Sequence, residues 1–553
     1  MNVLFSYRKH IFIALVIAIL ALYFVPLGSH ALLEPDEGRY SEIPREMIET
    51  GDYVTPMLNY VKYFEKPVLL YWMNAGSFAV FGQNEFAARF ATAVCAVLGA
   101  LVTGMLGAYI YGSLAGLLAG VITALSLLYF AVGTINITDM PLSFFITLAM
   151  ASFYVGHIER NRLWYLVFYA AMALGLLTKG LVAVVLPGGI IFWYIIFTHK
   201  WRIIIEALYL PGILLFFLIS APWFWLVCRA NSDFFHFFFI QEHFLRYATK
   251  MHNRYEPFWF FLPMIPAGLM PWTAFLFSLF GSDSVVRSPY HFEKRDANTY
   301  LLLWFGVILL FFSLSSSKLI PYIVPCIPPL AILMGADIAR MVDNERWHGG
   351  AVAWMFGIAL VFSAALIGYA FIGKELPMEQ TLPIALKVSG GLLFGPLAAM
   401  WFSAPRRNNF SVAVVALCLS SLLFIFGLQG IYKIMGETRS MKAVSEVIIK
   451  EQQPDETIAA YGEILQGIPF YTKQRVLLVD EKGELDFGSK HEEGKGWFPT
   501  STDFLPEWKD GSRPLILVIE KERIKSLFPD GKAGETKRID AGEYAVLFNR
   551  RVK

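Results

Sequence analysis

The stretch SVAVVALCLSSLLFIFGLQGIY, residues 411–432, contains no charged side chain. As a helix rising about 1.5 Å per residue it is roughly 30 Å long, the thickness of a bilayer's hydrocarbon core. The chain then reads Lys433-Ile434-Met435-Gly436-Glu437-Thr438-Arg439 and stays charged to residue 553. A membrane span therefore meets a soluble tail near Tyr432. Towards the N-terminus, apolar runs of similar length recur at 11–28, 86–111, 114–132, 140–157, 163–178, 181–198, 205–227, 258–281, 300–317, 320–340, 351–373 and 384–403. The pattern predicts about 13 spans, the first of them kept rather than cleaved as a signal. A run at 68–82 is too short to cross, and reads as half of a broken helix or as an interfacial segment.

Composition agrees. Of 553 residues only 16% are charged and 56% are apolar, against about 25% charged in soluble domains. The mean hydropathy is +0.53. With 46 Lys+Arg against 44 Asp+Glu, there is no electrostatic case for nucleic acid as a partner. The four cysteines are scattered, which argues against a disulfide framework or a Cys-rich metal site.

Lys and Arg between the spans set the orientation. Arg8/Lys9, Arg160/Arg162, Lys200/Arg202, Arg287/Lys294/Arg295, Arg346 and Arg406/Arg407 fall on alternate loops, which predicts a cytoplasmic N-terminus and an outer C-terminus. Long connections at 29–66 and 228–257 then lie outside, as does the tail 433–553. Within the tail, 440–453 reads as a helix, and 457–461, 474–480, 514–519 and 543–548 as strands of a small α/β domain. The predicted fold is thus a mainly α polytopic bundle, 1–432, with outer-face amphipathic helices and an outer α/β domain, 433–553.

Charged groups collect at the outer face. After Pro35, residues 37–50 predict a surface helix whose apolar face holds Tyr40, Ile43, Met47 and Ile48 and which stops at Gly51. Its start presents Asp36, Glu37 and Arg39, though Asp36 serves as readily as a plain cap. Glu65-Lys66-Pro67 follows, and Lys66 alone would read as a snorkelling lysine. Asp139 stands at a helix start before Pro141. Phenylalanines near His236 precede Glu242, His243 and Arg246. Ser317-Lys318-Leu319-Ile320-Pro321-Tyr322 marks another outer break. Cations at headgroup level suit a lipid phosphate, and carboxylates can orient a sugar. A lipid-phosphate donor could keep its tail in the bilayer while its phosphate meets Lys66 and Arg246.

The residues Glu34-Pro35-Asp36-Glu37-Gly38-Arg39-Tyr40-Ser41-Glu42-Ile43-Pro44-Arg45-Glu46-Met47, Gly51-Asp52 and Tyr63-Phe64-Glu65-Lys66-Pro67 resemble the undecaprenyl-phosphate aminoarabinose arabinosyltransferases. These are GT-C glycosyltransferases related to the protein O-mannosyltransferases. Thr178-Lys179-Gly180, Glu242-His243 with Arg246, Pro257-Phe258-Trp259, Lys318-Leu319 and Pro321-Tyr322 extend the resemblance over about 430 residues, and it fades in the tail. Gly38, where the family often has Thr or Pro, and Ile320 depart from the pattern.

The resemblance implies transfer of 4-amino-4-deoxy-L-arabinose from undecaprenyl phosphate to lipid A phosphates, in the inner membrane, with resistance to polymyxin and cationic peptides. It implies that Lys66, Arg246 and Tyr322 hold the carrier phosphate and that Asp36 and Asp139 lie at the sugar. Glu37, Arg39, Tyr40, Lys179 and Lys318 would line the substrates. No cofactor follows with certainty. Glu65 and His243 could hold a divalent, zinc-like metal, although a salt bridge or hydrogen bond explains the pair more simply. A hexosyl or mannosyl transferase acting on protein or glycan hydroxyls, and a lipid flippase, are the alternatives.

Overall fold

The computed structural model describes residues 2–245, 256–281, 283–287, 294–347, 350–372, 378–511, 513–529 and 533–550. Side chains of 2–9, 11, 12 and 241–245 lie outside that description. The chain divides into two compact units. One comprises 1–26, 92–225 and 235–431; the other 27–91, 226–234 and 432–553.

The first unit is helical. Among the described residues, eight helices are long and apolar enough to cross a membrane: Glu85–Tyr111, Asp139–Glu159, Leu210–Ala230, Arg295–Leu314, Ile320–Asp343, Ala351–Ile372, Met378–Ser403 and Phe410–Thr438. Ser113–Ala124 and Leu127–Gly133, bent by 61°, make up to nine. The runs at 11–28, 163–178 and 181–198 form shorter apolar helices. The run 258–281 is not one helix but two, Phe261–Gly268 and Thr273–Ser278. Pro271 stands in the gap between them and has no N–H to donate, so the ladder is interrupted there. Small residues bring the backbones close. A Cβ at Gly335 would lie 2.6 Å from the Ala115 carbonyl, and Gly104 and Gly107 face Gly116 in the same way, the packing expected where lipid supplies no hydrophobic drive.

The second unit is built around a five-stranded sheet. Its strands follow the hairpin β1 (Met57–Leu58) and β2 (Val61–Lys62): β3 (Thr457–Tyr461), β4 (Val476–Val479), β5 (Leu515–Glu520), β6 (Lys537–Ala541) and β7 (Tyr544–Phe548). The order is β4-β3-β5-β7-β6, parallel across β4-β3-β5 and antiparallel beyond. The four expected strands are present; β6 is additional. Leu477, Leu515, Leu517, Leu547, Phe504 and Trp508 form the core.

Residues 27–91 pack into this unit. Asn59, at φ 53 in the hairpin turn, lays its amide along strand β4. Its Nδ2 donates to the Val476 carbonyl at 2.8 Å, and its Oδ1 accepts from the Val476 N–H at 2.8 Å. The side chain thus satisfies backbone groups of an edge strand. Helix Asp36–Thr50 differs from the expected surface helix, because every residue from Glu37 to Met47 is buried. Its charged face is covered by Arg89, distant in sequence, and by an ion pair within the helix itself. Arg89 donates to both Glu37 oxygens at 2.7 Å, and Arg45 to both Glu42 oxygens at 2.7 Å. Asp36 is the first helical residue rather than the cap, and no side chain caps this helix. Gly51 ends it in the left-handed conformation, φ 74. The run 68–82 is the helix Leu69–Phe81, fixed to the preceding one by Asn74 donating to the Tyr40 carbonyl at 3.1 Å.

Candidate functional site

In the helical unit, Asp139–Glu159 and Leu163–Lys179 form an antiparallel hairpin turned by Arg160 at φ 54. Antiparallel packing returns the end of the second helix to the start of the first. Asp139 therefore meets Lys179, its Oδ1 accepting from Nζ at 2.5 Å. Each charge also suits its helix terminus: an acid in the first turn, a base in the last. Lys179 Nζ lies 4.6 Å from the centre of the Tyr322 ring, within reach of a cation–π attraction. Tyr322 is presented by the 3-10 turn Ile320–Cys326 and packs on Phe312, ring centres 5.1 Å apart. Lys318 is 6% exposed and donates to the carbonyls of Ser315 at 2.6 Å and Glu256 at 3.0 Å. An acid, two lysines and a phenol thus stand at one group of helix ends.

In the second unit, Arg39 is the hub. Its guanidinium pairs with Asp36 and with Glu484 and donates to the Tyr63 hydroxyl at 3.2 Å, and it stacks 5.1 Å from the Tyr40 ring centre. Glu484 also accepts from Gln466 at 2.6 Å. Burial pushes the Tyr63 hydroxyl well above its ordinary range, so it remains a donor. Behind the hub, Glu34 accepts from the backbone N–H groups of Gln466 at 2.9 Å and Gly467 at 2.6 Å. Burial nevertheless pushes its carboxyl up to about 8. Half of the Asp36 side chain is exposed. The Lys66 ammonium lies 3.8 Å from Glu65 Oε2 and donates to the Glu65 carbonyl at 3.0 Å.

The expected residues thus fall into two constellations: Asp139, Lys179 and Tyr322 with Lys318 nearby, and Asp36, Arg39 and Tyr40 with Lys66 beside Glu65. Glu37 is committed to Arg89 and to the Leu33 N–H, 2.9 Å away. Arg246 and the side chain of His243 lie outside the described residues. Sequence reasoning missed Glu484 and Gln466. Neither carries a local signal, and the only hint was that a buried Arg39 needs acid on more than one side. Among the described residues no group of three or more His, Cys, Asp or Glu could hold a metal.

Comparison with known proteins gives the class first. Residues 10–238 match the family described as dolichyl-phosphate-mannose-protein mannosyltransferase, and 444–531 match the aminoarabinose transferase C-terminal domain. An Archaeoglobus fulgidus oligosaccharyltransferase structure, 12% identical with a TM-score of 0.54 over 99% of this chain and 75% of that one, shares the fold. The protein is a multi-span membrane glycosyltransferase of the GT-C type, a class that uses lipid-linked donors.

Within that class the chain belongs to the undecaprenyl phosphate-alpha-4-amino-4-deoxy-L-arabinose arabinosyl transferases. A relative so named from Aeromonas salmonicida is 30% identical, the match covering 93% of this chain and 95% of the relative. One from Aeromonas hydrophila is 31% identical over 95% and 96%. The crystal structure of ArnT from Cupriavidus metallidurans bound to undecaprenyl phosphate is 28% identical, with a TM-score of 0.86 over 98% of each chain.

Proposed function

We propose that this protein transfers 4-amino-4-deoxy-L-arabinose from undecaprenyl phosphate to phosphate groups of lipid A in the bacterial inner membrane. The observation that carries the reading is the end-to-end likeness to an enzyme crystallised with undecaprenyl phosphate. On this reading residues 1–432 form the glycosyltransferase domain and 433–553 a periplasmic domain, with the N-terminus cytoplasmic. The excess of Lys and Arg on alternate loops supports that orientation.

Transfer is a single in-line displacement at the anomeric carbon, with inversion. The C1–O bond to the carrier breaks as a lipid A phosphate oxygen forms the new bond. The departing carrier changes from a phosphate diester to a monoester and gains negative charge. Lys66, Arg246 and Tyr322 stabilise that charge, each cationic contact contributing roughly 10²-fold in rate. The acceptor is already ionised at neutral pH and needs no general base. Asp36 and Asp139 act on the sugar by electrostatics, a carboxylate being the natural partner of its ammonium. Arg39 and Tyr40 fix Asp36, and Lys179 fixes Asp139. Glu37 and Lys318 support the substrate region through their buried hydrogen bonds.

Glu65 and His243 are the residues that would hold a zinc-like ion. Glu65 has the Lys66 ammonium 3.8 Å from its carboxylate, a cation already in place that would compete with a metal for those oxygens. The mechanism therefore routes no step through a metal, and activity unchanged after chelation is the matching result.

Mass spectrometry of lipid A from a strain lacking this activity tests the reading. Wild type should add the aminoarabinose mass and restore polymyxin resistance, and Lys66→Ala should do neither. No added mass with wild type would refute the substrate assignment. The match of residues 10–238 to a mannosyltransferase family favours a second reading, transfer to a hydroxyl. That reaction needs a carboxylate base, so its rate should fall steeply in acid, whereas transfer to phosphate should be nearly flat around neutrality.

A further inference from the structure

At the opposite end of the helix that begins with Asp139, His157 Nδ1 lies 2.8 Å from Glu206 Oε2. That end is about 27 Å along the helix from Asp139. Here Val182–Thr198 turns at His199, φ 56, into the short helix Arg202–Ala207. Between the two runs an apolar groove of about 260 Å³, lined by Gly188, Ile191, Phe192, Ile195, Trp201 and Ile204. Phe192, Trp201 and Ile204 are 56%, 58% and 44% exposed, so the groove opens outward from the bundle. Its walls are hydrocarbon and aromatic rings, which suit an acyl chain and nothing polar.

The mouth is basic. Lys200 is paired with Asp296, and Glu206 is taken by His157. Arg202 keeps 78% of its side chain exposed and approaches Glu206 no closer than 3.6 Å, beyond hydrogen-bond range. Arg162 is exposed and has no acidic partner among the described residues. Its guanidinium lies 6.0 Å from the ring centre of Tyr209, the residue after groove-lining Leu208. An apolar slot beside a Trp and two available guanidinium groups is the arrangement that holds a lipid with an anionic headgroup.

We propose that this groove binds an anionic glycerophospholipid, its acyl chain in the slot and its phosphate between Arg162 and Arg202. The bound lipid anchors the helix Arg202–Ala207 in the leaflet away from Asp139.

The test uses the full-length protein in phosphatidylcholine vesicles containing a minor fraction of brominated phosphatidylglycerol or, in parallel, brominated phosphatidylcholine. Bromine quenches nearby indoles, and the Trp201 share is the difference between wild type and Trp201→Phe. Phosphatidylglycerol should quench that share more strongly. Arg162→Gln and Arg202→Gln should each weaken the preference about fivefold. Gly188→Leu fills the slot, because no atom lies within 4 Å of a Cβ there, and should abolish Trp201 quenching by chain-brominated lipid while leaving the protein folded. Equal quenching by both lipids, or a preference unchanged in the arginine double variant, would overturn the proposal.

Discussion

Gly38 and Gly76 both sit in helices, and the same substitution at each should move stability in opposite directions. A Cβ at Gly38 would lie 2.7 Å from the Gly467 nitrogen, 2.9 Å from the Gln466 carbonyl carbon and 3.0 Å from the Gln466 Cβ. Two of these are backbone atoms that cannot rotate aside, so the helix Asp36–Thr50 must move away by about half an ångström or more. Overpacking of this kind costs about 1–3 kcal/mol. At roughly 2–4 °C per kcal/mol for a unit of this size, a cost of about 2 kcal/mol lowers the apparent Tm by about 4–8 °C. The shift also strains the hydrogen bonds from Gln466 and Gly467 to Glu34 and displaces Asp36, so transfer should fall with stability. A Cβ at Gly76 meets nothing within 4 Å, and Ala there should raise stability by about 0.5–1 kcal/mol. Thermal unfolding of the purified variants in one detergent, at one scan rate, measures both. Equal shifts, or a stabilised Gly38→Ala, would refute the close-crossing argument.

Glu484→Gln leaves Arg39 half-paired and should cut transfer at least tenfold with little change in expression, as measured by lipid A mass spectrometry; undiminished transfer would remove Glu484 from the site. Asp139→Asn strips Lys179 of its anionic partner and should cost roughly 10²-fold in rate, whereas Glu159→Gln, at the other end of that helix, should behave as wild type. Glu34 supplies a pH test. Its carboxyl is held up to about 8 from an ordinary value of 4.5, so between those limits the folded state keeps a proton that the unfolded chain has released, and stability falls as pH rises. Glu34→Gln should remove this slope, at most about 1.4 kcal/mol per pH unit; unfolding curves for wild type and variant that run parallel from pH 5 to 8 would show the carboxyl to be ionised throughout.

The spans were legible because a bilayer imposes length and apolarity on contiguous residues, and 411–432 shows both without help from elsewhere. The strand 457–461 was legible for the same local reason. Lys537–Ala541 was not, because its side chains alternate with charge at the edge of the sheet and look like a solvated loop. The break in 258–281 was in plain view as Pro271. Helix 36–50 was misread for a physical reason: periodicity reports one apolar face, but its charged face is buried by Arg89 and Glu484, which periodicity cannot supply. In the candidate site, Asp36, Lys66, Asp139 and Tyr322 came from motifs, whereas the pairing of Asp139 with Lys179 follows from two helices of similar length folding back on each other. Glu484 is 445 residues from Arg39, a distance over which local sequence carries no information.

The clasp between Asn59 and Val476 spans 417 positions. At a synthesis rate of about 5–20 residues per second, its second half leaves the ribosome on the order of 20–80 s after the first. For that interval Arg39, Glu34 and the hairpin wait without their tail partners, while the intervening helices insert. Folding of residues 27–91 is therefore timed by the last stretch to be translated, and a premature stop codon after the final span would leave Asn59, Arg39 and Glu34 without the partners that the tail supplies.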